Sequence, residues 1–276
     1  MRGRVVVVTG ASSGIGAAGA VELARRGATV VPVGRDEGRL EKVAREVGGE
    51  GIRADLASLA GVRRLADELL ERCERIDVLV NNAGVMPGRR RLTADGLELT
   101  FAVNHLAPFL LTNLLLDRLR ESAPARVVTT SSVAHSGGLI DLDDLQLENG
   151  WTMMRAYSTS KLANILFTRE LARRLEGSGV VANCFHPGVI RTRLTRRANP
   201  LLLVGAKLAA PFLGSPKTGA ETLVWLASSP EPADVSGGYF ENCRPARQSA
   251  QSQDDELAAA LWERSAEVVG LRANGA

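Results

Sequence analysis

The segment Val5–Gly16, VVVVTGASSGIG, decides the fold. Four consecutive β-branched valines suit a strand buried on both faces. The glycines at 10, 14 and 16 then lead directly into a helix-length stretch, 14–27. A strand, a glycine-rich turn and a helix in that order bring backbone N–H groups to a pyrophosphate, which sits at the positive helix N-terminus. Gly10, Ser12, Ser13, Gly14, Ile15 and Gly16 are therefore the first candidate binding residues.

Outward from this turn, strand-like runs at 4–9, 29–33, 76–80, 126–131 and 180–185 alternate with helix-length segments at 14–27, 36–47, 58–74, 104–121 and 156–176. Shorter strands are expected near Gly51–Ala54 and near Tyr239. This alternation predicts an α/β fold: a single doubly wound Rossmann domain over 1–276, its mostly seven-stranded parallel sheet carrying helices on both faces. After Pro187 the Pro/Gly punctuation increases, and loops and helices are expected over one edge of the sheet.

Composition narrows the function. The chain has 276 residues, 45% hydrophobic and only 4% aromatic, so Val, Leu, Ile and Ala must fill the core. The net charge is +3, and the arginine pairs 25–26, 63–64, 173–174 and 196–197 are dispersed among acidic residues. Nucleic-acid binding would need those charges on one face with stacking aromatics. Arg89–Arg91 forms a tighter run in a loop. The odd, widely spaced Cys73, Cys184 and Cys243 fit reduced thiols, with no metal site. A first strand at about Arg4 leaves no room for a signal peptide, and no apolar run is long enough for an integral membrane segment. A soluble, cytoplasmic protein is expected.

Several further segments place polar groups where α/β proteins bind ligands, at the carboxyl edge of the sheet. NNAG at 81–84 follows the third long strand, with Asn82, Ala83 and Gly84 as binding candidates, or it is an ordinary Asn-Gly loop. Asp55, beside Leu56, either accepts a hydrogen bond from an adenine amino group or caps the helix beginning near Ser58. Asn104 opens an apolar helix as an N-cap or as a fixed polar relay. Ser131 and Ser132 end a strand, as turn formers or as donors to a substrate oxygen. In YSTSK, Tyr157 and Lys161 lie one helical turn apart on the same face. A phenol titrates at about 10 and a neighbouring ammonium favours the phenolate, so the pair is the candidate acid/base unit.

TGASSGIG, NNAG, a strand ending in Ser-Ser, YSTSK and HPGVIRT occur in the order seen in the short-chain dehydrogenase/reductase family, which the chain resembles over nearly its whole length. FAVNHLAPFLLTNLLL, YSTSKLANILFTRELARRL and the C-terminal SGGYF and LWERSAEVVGL resemble its retinol-dehydrogenase-like branch. The resemblance implies an oxidoreductase with a tetrad of Asn104, Ser132, Tyr157 and Lys161, and Ser131 as the fallback serine. It implies that Ser132 and Tyr157 hold a carbonyl oxygen and that Tyr157 exchanges the proton. It further implies that Lys161 binds the nicotinamide ribose and lowers the tyrosine pKa, while Asn104 fixes a relay water. Pro187 and Gly188 would turn the chain toward the nicotinamide, with Ile190 and Thr192 holding its carboxamide. Two departures limit the carry-over: the N-terminal membrane anchor of many members of the branch is not expected here, and Ala107-Pro108 replaces a common Gly-His. A retinoid is not carried over as substrate. Competing readings are an epimerase/dehydratase-type relative and a non-catalytic NADP(H)-binding regulator or scaffold; the glycine spacing and short tail oppose the first, the complete tetrad the second.

Cofactor choice turns on the two residues that succeed the second strand. An NAD-preferring site usually places a carboxylate there for the ribose hydroxyls. Here Gly34 is expected to leave space and Arg35 to bind a 2′-phosphate, so the expected cofactor is NADP(H). Asp36 and Glu37 read as helix-initiating. The apolar segment within 193–216 is expected to be a lid over a hydrophobic small-molecule substrate. The helices at 104–121 and 156–176 are apolar around much of their circumference, so a homo-oligomer interface or pocket wall is expected there.

Overall fold

The computed structural model describes residues 1–188 and 214–271. Its strands are β1 (Val5–Thr9), β2 (Thr29–Gly34), β3 (Ile52–Arg53), β4 (Val78–Asn81), β5 (Ala125–Thr130), β6 (Val180–His186), β7 (Tyr239–Glu241) and β8 (Arg244–Pro245). They form one sheet in the order β3-β2-β1-β4-β5-β6-β7-β8. Every pairing is parallel except β7 with β8. The expected seven strands are thus one short: after β7 the chain reverses through Asn242 and Cys243, both at positive φ, and adds β8 as an antiparallel edge. The strand order reverses between β1 and β4, which opens a crevice at the carboxyl ends of those two strands.

The valines of β1 alternate between two cores. Val7 packs with Leu79 and Val127 under one helical layer, whereas Val6 and Val8 join Val78, Val80 and Val128 under the other. The second layer holds α1 (Gly14–Arg25), α2 (Glu37–Val47) and α8 (Pro216–Ser228). The first holds α3 (Leu59–Arg72), α5 (Ala107–Leu114), α7 (Met153–Arg174) and α9 (Asp255–Val269), with the short helices α4 (Leu99–Phe101) and α6 (Leu116–Glu121) flanking α5. The C-terminal part therefore covers both faces of the sheet, not one edge as expected. Helix starts obey local chemistry: Asp36, Ser58, Thr152, Ser215 and Asp254 each accept a backbone N–H of the first turn.

The expected helix over 104–121 is interrupted. Pro108 has no N–H to offer the Asn104 carbonyl four residues back, and the chain widens into a π turn over Ala102–Leu106, closed by Ala107 N–H to Ala102 O. Asn104 therefore caps nothing: it sits inside this turn, 1% exposed.

The apolar excess on α5 and α7 is covered within the chain by α9. Trp262 stands 4.9 Å from Phe109 and 5.8 Å from Phe167 between ring centroids. Arg174 lies 4.5 Å above the Trp262 ring and pairs with Glu263, Arg169 pairs with Asp255, and Arg63 donates to Val269 O at 2.7 Å. Two of the dispersed arginine pairs thus help dock α9, and the apolar count no longer argues for a partner subunit. Arg89 and Arg91 are exposed, and Arg90 donates to Gln146 O. Cys73 and Cys184 are buried and Cys243 half-buried, all as free thiols. Among the described residues no helix is long and apolar enough to cross a membrane.

Candidate active site

The glycine-rich turn and NNAG are built as one unit at the crevice. Thr9 Oγ1 donates to Val80 O and accepts from Asn82 N and Ala83 N, while Asn82 Nδ2 donates to Thr9 O. Gly10 is at φ +69°, and a Cβ there would stand 2.7 Å from Ala83 Cα. At Gly16 a Cβ would meet Gly10 O at 2.6 Å. Gly14, at φ +63°, has no neighbour among the described residues within 4 Å of the Cβ position, so open space borders the first residue of α1. Ser13 is the N-cap residue of α1 without a side-chain cap bond, Ile15 is buried in the first turn, and Ser12 packs against Gly34. Sequence reading missed Thr9, although its place ahead of the glycines was a visible signal.

Tyr157 and Lys161 lie on one face of α7, with Nζ 5.6 Å from the ring centroid. Lys161 is 3% exposed, and burial pulls its pKa down to about 8. Its ammonium donates to Thr130 O at 3.0 Å, which Asn164 Nδ2 also reaches at 3.1 Å. Burial pushes the Tyr157 phenol up, and the Ser132 hydroxyl opposes that by hydrogen bonding. The lowered phenol expected beside Lys161 is thus not what this geometry gives, because burial of the ring outweighs the hydrogen bond.

The serine pair divides its roles. Ser131 Oγ donates to Lys161 O at 2.7 Å and is buried. Ser132 Oγ accepts Ala134 N–H at 3.2 Å, and its hydroxyl hydrogen-bonds to the Tyr157 phenol. Ser132 therefore stands at the phenol, and the fallback Ser131 does not.

Asn104 bridges the loop after NNAG to α7. Its Oδ1 accepts Val85 N–H at 2.8 Å, and its Nδ2 donates to Val85 O and to Ser160 Oγ. Ser160 in turn donates to Tyr157 O at 2.7 Å. Both amide hydrogens are taken by protein, so the implied water relay is not carried by them. A Cβ on Gly84 would lie 3.4 Å from Asn104 Oδ1 and 3.9 Å from Lys161 Nζ, so the NNAG turn runs flush against the tetrad.

The remaining candidates lie around this centre. Arg35 is exposed at the end of β2. Gly34 does not leave open space: a Cβ there would meet Ser12 Cβ at 2.9 Å. Asp55 is exposed and accepts Ala57 N–H, while Ser58 caps α3, so Asp55 is not the helix cap. Leu56 is half-buried and lines a small cavity with Thr9, Asn81 and Pro108. Pro187 and Gly188 come directly after β6, Gly188 at φ +82°. Ile190, Thr192 and 193–213 of the expected lid lie outside the described residues, and Ser215 and Pro216 begin α8.

A doubly wound sheet with a glycine-rich turn at the strand-order reversal, and a Tyr–Lys pair beside it, defines a dinucleotide-dependent oxidoreductase class. The family model described as short chain dehydrogenase matches residues 4–201. Human retinol dehydrogenase 13 is 44% identical over 98% of this chain and 86% of its own. A crystal structure of a protein from Mycobacterium paratuberculosis is 39% identical and superposes with a TM-score of 0.80, covering 98% of this chain and 94% of that one. A short chain dehydrogenase from Burkholderia cenocepacia, in complex with NADP, is 28% identical with a TM-score of 0.70, covering 87% and 96%. The chain belongs to the short-chain dehydrogenase/reductase family, in its retinol-dehydrogenase-like branch. It is an oxidoreductase of a family that uses NAD(P)(H). The open space at Gly14, the flush Gly84 and a buried ammonium whose one acceptor among the described residues is Thr130 O fit such a dinucleotide.

Proposed function

We propose that this protein is an NADP(H)-dependent carbonyl reductase or alcohol dehydrogenase acting on a hydrophobic substrate, with Tyr157 as its acid/base. The observation that carries the reading is the meeting of Ser132, Tyr157 and Lys161 at one point beside the Gly84 turn. In this reading Gly10, Ser12, Ser13, Gly14, Ile15 and Gly16 seat the pyrophosphate. Arg35 binds the 2′-phosphate, Asp55 and Leu56 border the adenine, and Asn82, Ala83 and Gly84 pass beneath the ribose. Pro187 and Gly188 turn the chain toward the nicotinamide, and Ile190 and Thr192 hold its carboxamide. The bound cofactor supplies or accepts hydride at the substrate carbon.

The chain's own residues handle the oxygen. The Ser132 hydroxyl turns from the phenol to the substrate and holds the carbonyl oxygen, and Tyr157 delivers its phenolic proton to that oxygen as charge develops there. A phenol raised by burial stays protonated at neutral pH and so holds the proton it has to deliver. Lys161 donates to the ribose hydroxyls and holds positive charge near the phenol, while Asn104 and Ser160 fix the backbone at Val85 and Tyr157. The NADP complex of the Burkholderia relative supports the cofactor choice.

The test is NADPH absorbance with a panel of aliphatic, aromatic and retinoid aldehydes and ketones, with the alcohols in reverse. Tyr157→Phe is expected to abolish turnover while NADPH binding, monitored by fluorescence, stays nearly intact. A folded Tyr157→Phe enzyme that keeps more than about a tenth of the wild-type rate would overturn the assignment.

A further inference from the structure

We infer that His135 is a positioning residue that locks Ser132 and couples it to the segment after β8, a role that rests on the reading of Ser132 as the group that holds the substrate oxygen. His135 belongs to the 3-10 turn Val133–Gly137, whose N-cap is Ser132. Its backbone N–H donates to Ser132 O at 3.0 Å, and its ring Nδ1 stands 2.8 Å from the same carbonyl. Ring Nε2 receives the Ser249 backbone N–H at 3.3 Å.

Those partners decide the tautomer. A carbonyl only accepts and a backbone N–H only donates, so Nδ1 carries the proton and Nε2 accepts. The ring is 1% exposed and packs edge-on to Tyr239, with centroids 5.0 Å apart. Burial lowers its pKa, His186 faces it, and Glu241 lies beyond His186, so the neutral form is the one the site favours.

The consequence falls on the Ser132 hydroxyl. With its carbonyl held twice by His135 and its Oγ accepting from Ala134 N, Ser132 has few ways left to turn, and its proton is aimed at the phenol side. On the other side of the ring the same histidine holds Ser249, and Gln251 Oε1 then receives Ile140 N–H. The serine turn at His135 and the chain just beyond it at Ile140 are thus each pinned to the 249–251 stretch.

Two measurements test this. The chain has three histidines, so 15N-histidine NMR resolves each ring, with His135 assigned by the resonance lost in His135→Asn. A neutral ring protonated on Nδ1 is expected, and a proton on Nε2 would overturn the proposal whatever the activity. The second is a double-mutant cycle with the best substrate of the panel. His135→Ala is expected to lower kcat about tenfold with NADPH affinity unchanged, and by less than about twofold when Ser132 is already alanine. His135→Asn, whose Nδ2 can replace the Nδ1 donor, should recover most of the rate. Equal losses in both backgrounds would mean that His135 does not act through Ser132. A Ser132→Ala enzyme of wild-type rate would overturn the role of Ser132, and the positioning role with it, even with the Nδ1 proton in place.

Discussion

Ser12 occupies the space that a side chain at Gly34 would need, its Cβ 2.9 Å and its Oγ 3.1 Å from the position of that missing Cβ. The glycine that ends β2 is therefore required by packing against the phosphate turn, not only by room for a ligand. Gly34→Asp should displace Ser12 and weaken both cofactors, whereas Ser12→Gly with Gly34→Asp should restore binding and favour NADH. Arg35→Ala should reduce the NADPH preference roughly ten- to a hundredfold, for a charged hydrogen bond of about 1.5–3 kcal/mol. Catalytic efficiencies with both cofactors decide it; an unchanged preference in Arg35→Ala would show that the 2′-phosphate lies elsewhere.

Lys161 should cost stability. Its pKa is about 8 in the fold against 10.5 in the unfolded chain, so below pH 8 both states carry the proton and the fold bears the burial cost. That cost is about 3 kcal/mol and fades as pH rises from 8 to 10.5. Lys161→Met should thus be inactive yet about 1–3 kcal/mol more stable at pH 7, because Asn164 still satisfies Thr130 O. Urea unfolding at pH 7 and at pH 10 measures the gain and its expected decline; a less stable variant at pH 7 would refute the argument.

His105 gives the opposite limb. Its ring is buried among Phe101, Phe109 and Phe167, with Nε2 at Ser265 Oγ, and burial lowers its pKa to about 4 from 6.5. The unfolded chain takes up this proton first, so stability should fall by about 3 kcal/mol as pH drops from 6.5 to 4. His135 and His186, also lowered by burial, act in the same direction. Comparing the slope of unfolding free energy against pH in wild type and His105→Gln isolates the share of His105, which should disappear in the variant.

The element order, both glycine-bearing turns and the Tyr157–Lys161 pair were legible because each rests on local spacing along one strand, turn or helix. What escaped depends on contacts far apart in sequence. Nothing near Asn104 announces that its amide clamps Val85 and Ser160, nor does Gly34 reveal Ser12 above it. The apolar girth of α5 and α7 signals the need for a cover, but residues 255–269 do not state which face they will bury.

That cover yields a direct test. Truncation before Asp254 should expose Phe109 and Phe167 and turn the protein into a self-associating species in sedimentation, while Trp262→Ala should cost about 3–5 kcal/mol without changing the oligomeric state. A truncated chain that stays as monodisperse as the full one would contradict the role assigned to α9.

The docking of α9 also sets a delay in the life of each new molecule. Arg169 and its partner Asp255 are 86 positions apart. At about 5–20 residues per second, a ribosome finishes α7 roughly four to seventeen seconds before it makes the helix that will shield it. Throughout that interval the aromatic flank of a nascent chain is open to neighbouring chains and chaperones, so the yield of this protein should respond to the speed of translation across residues 175–254.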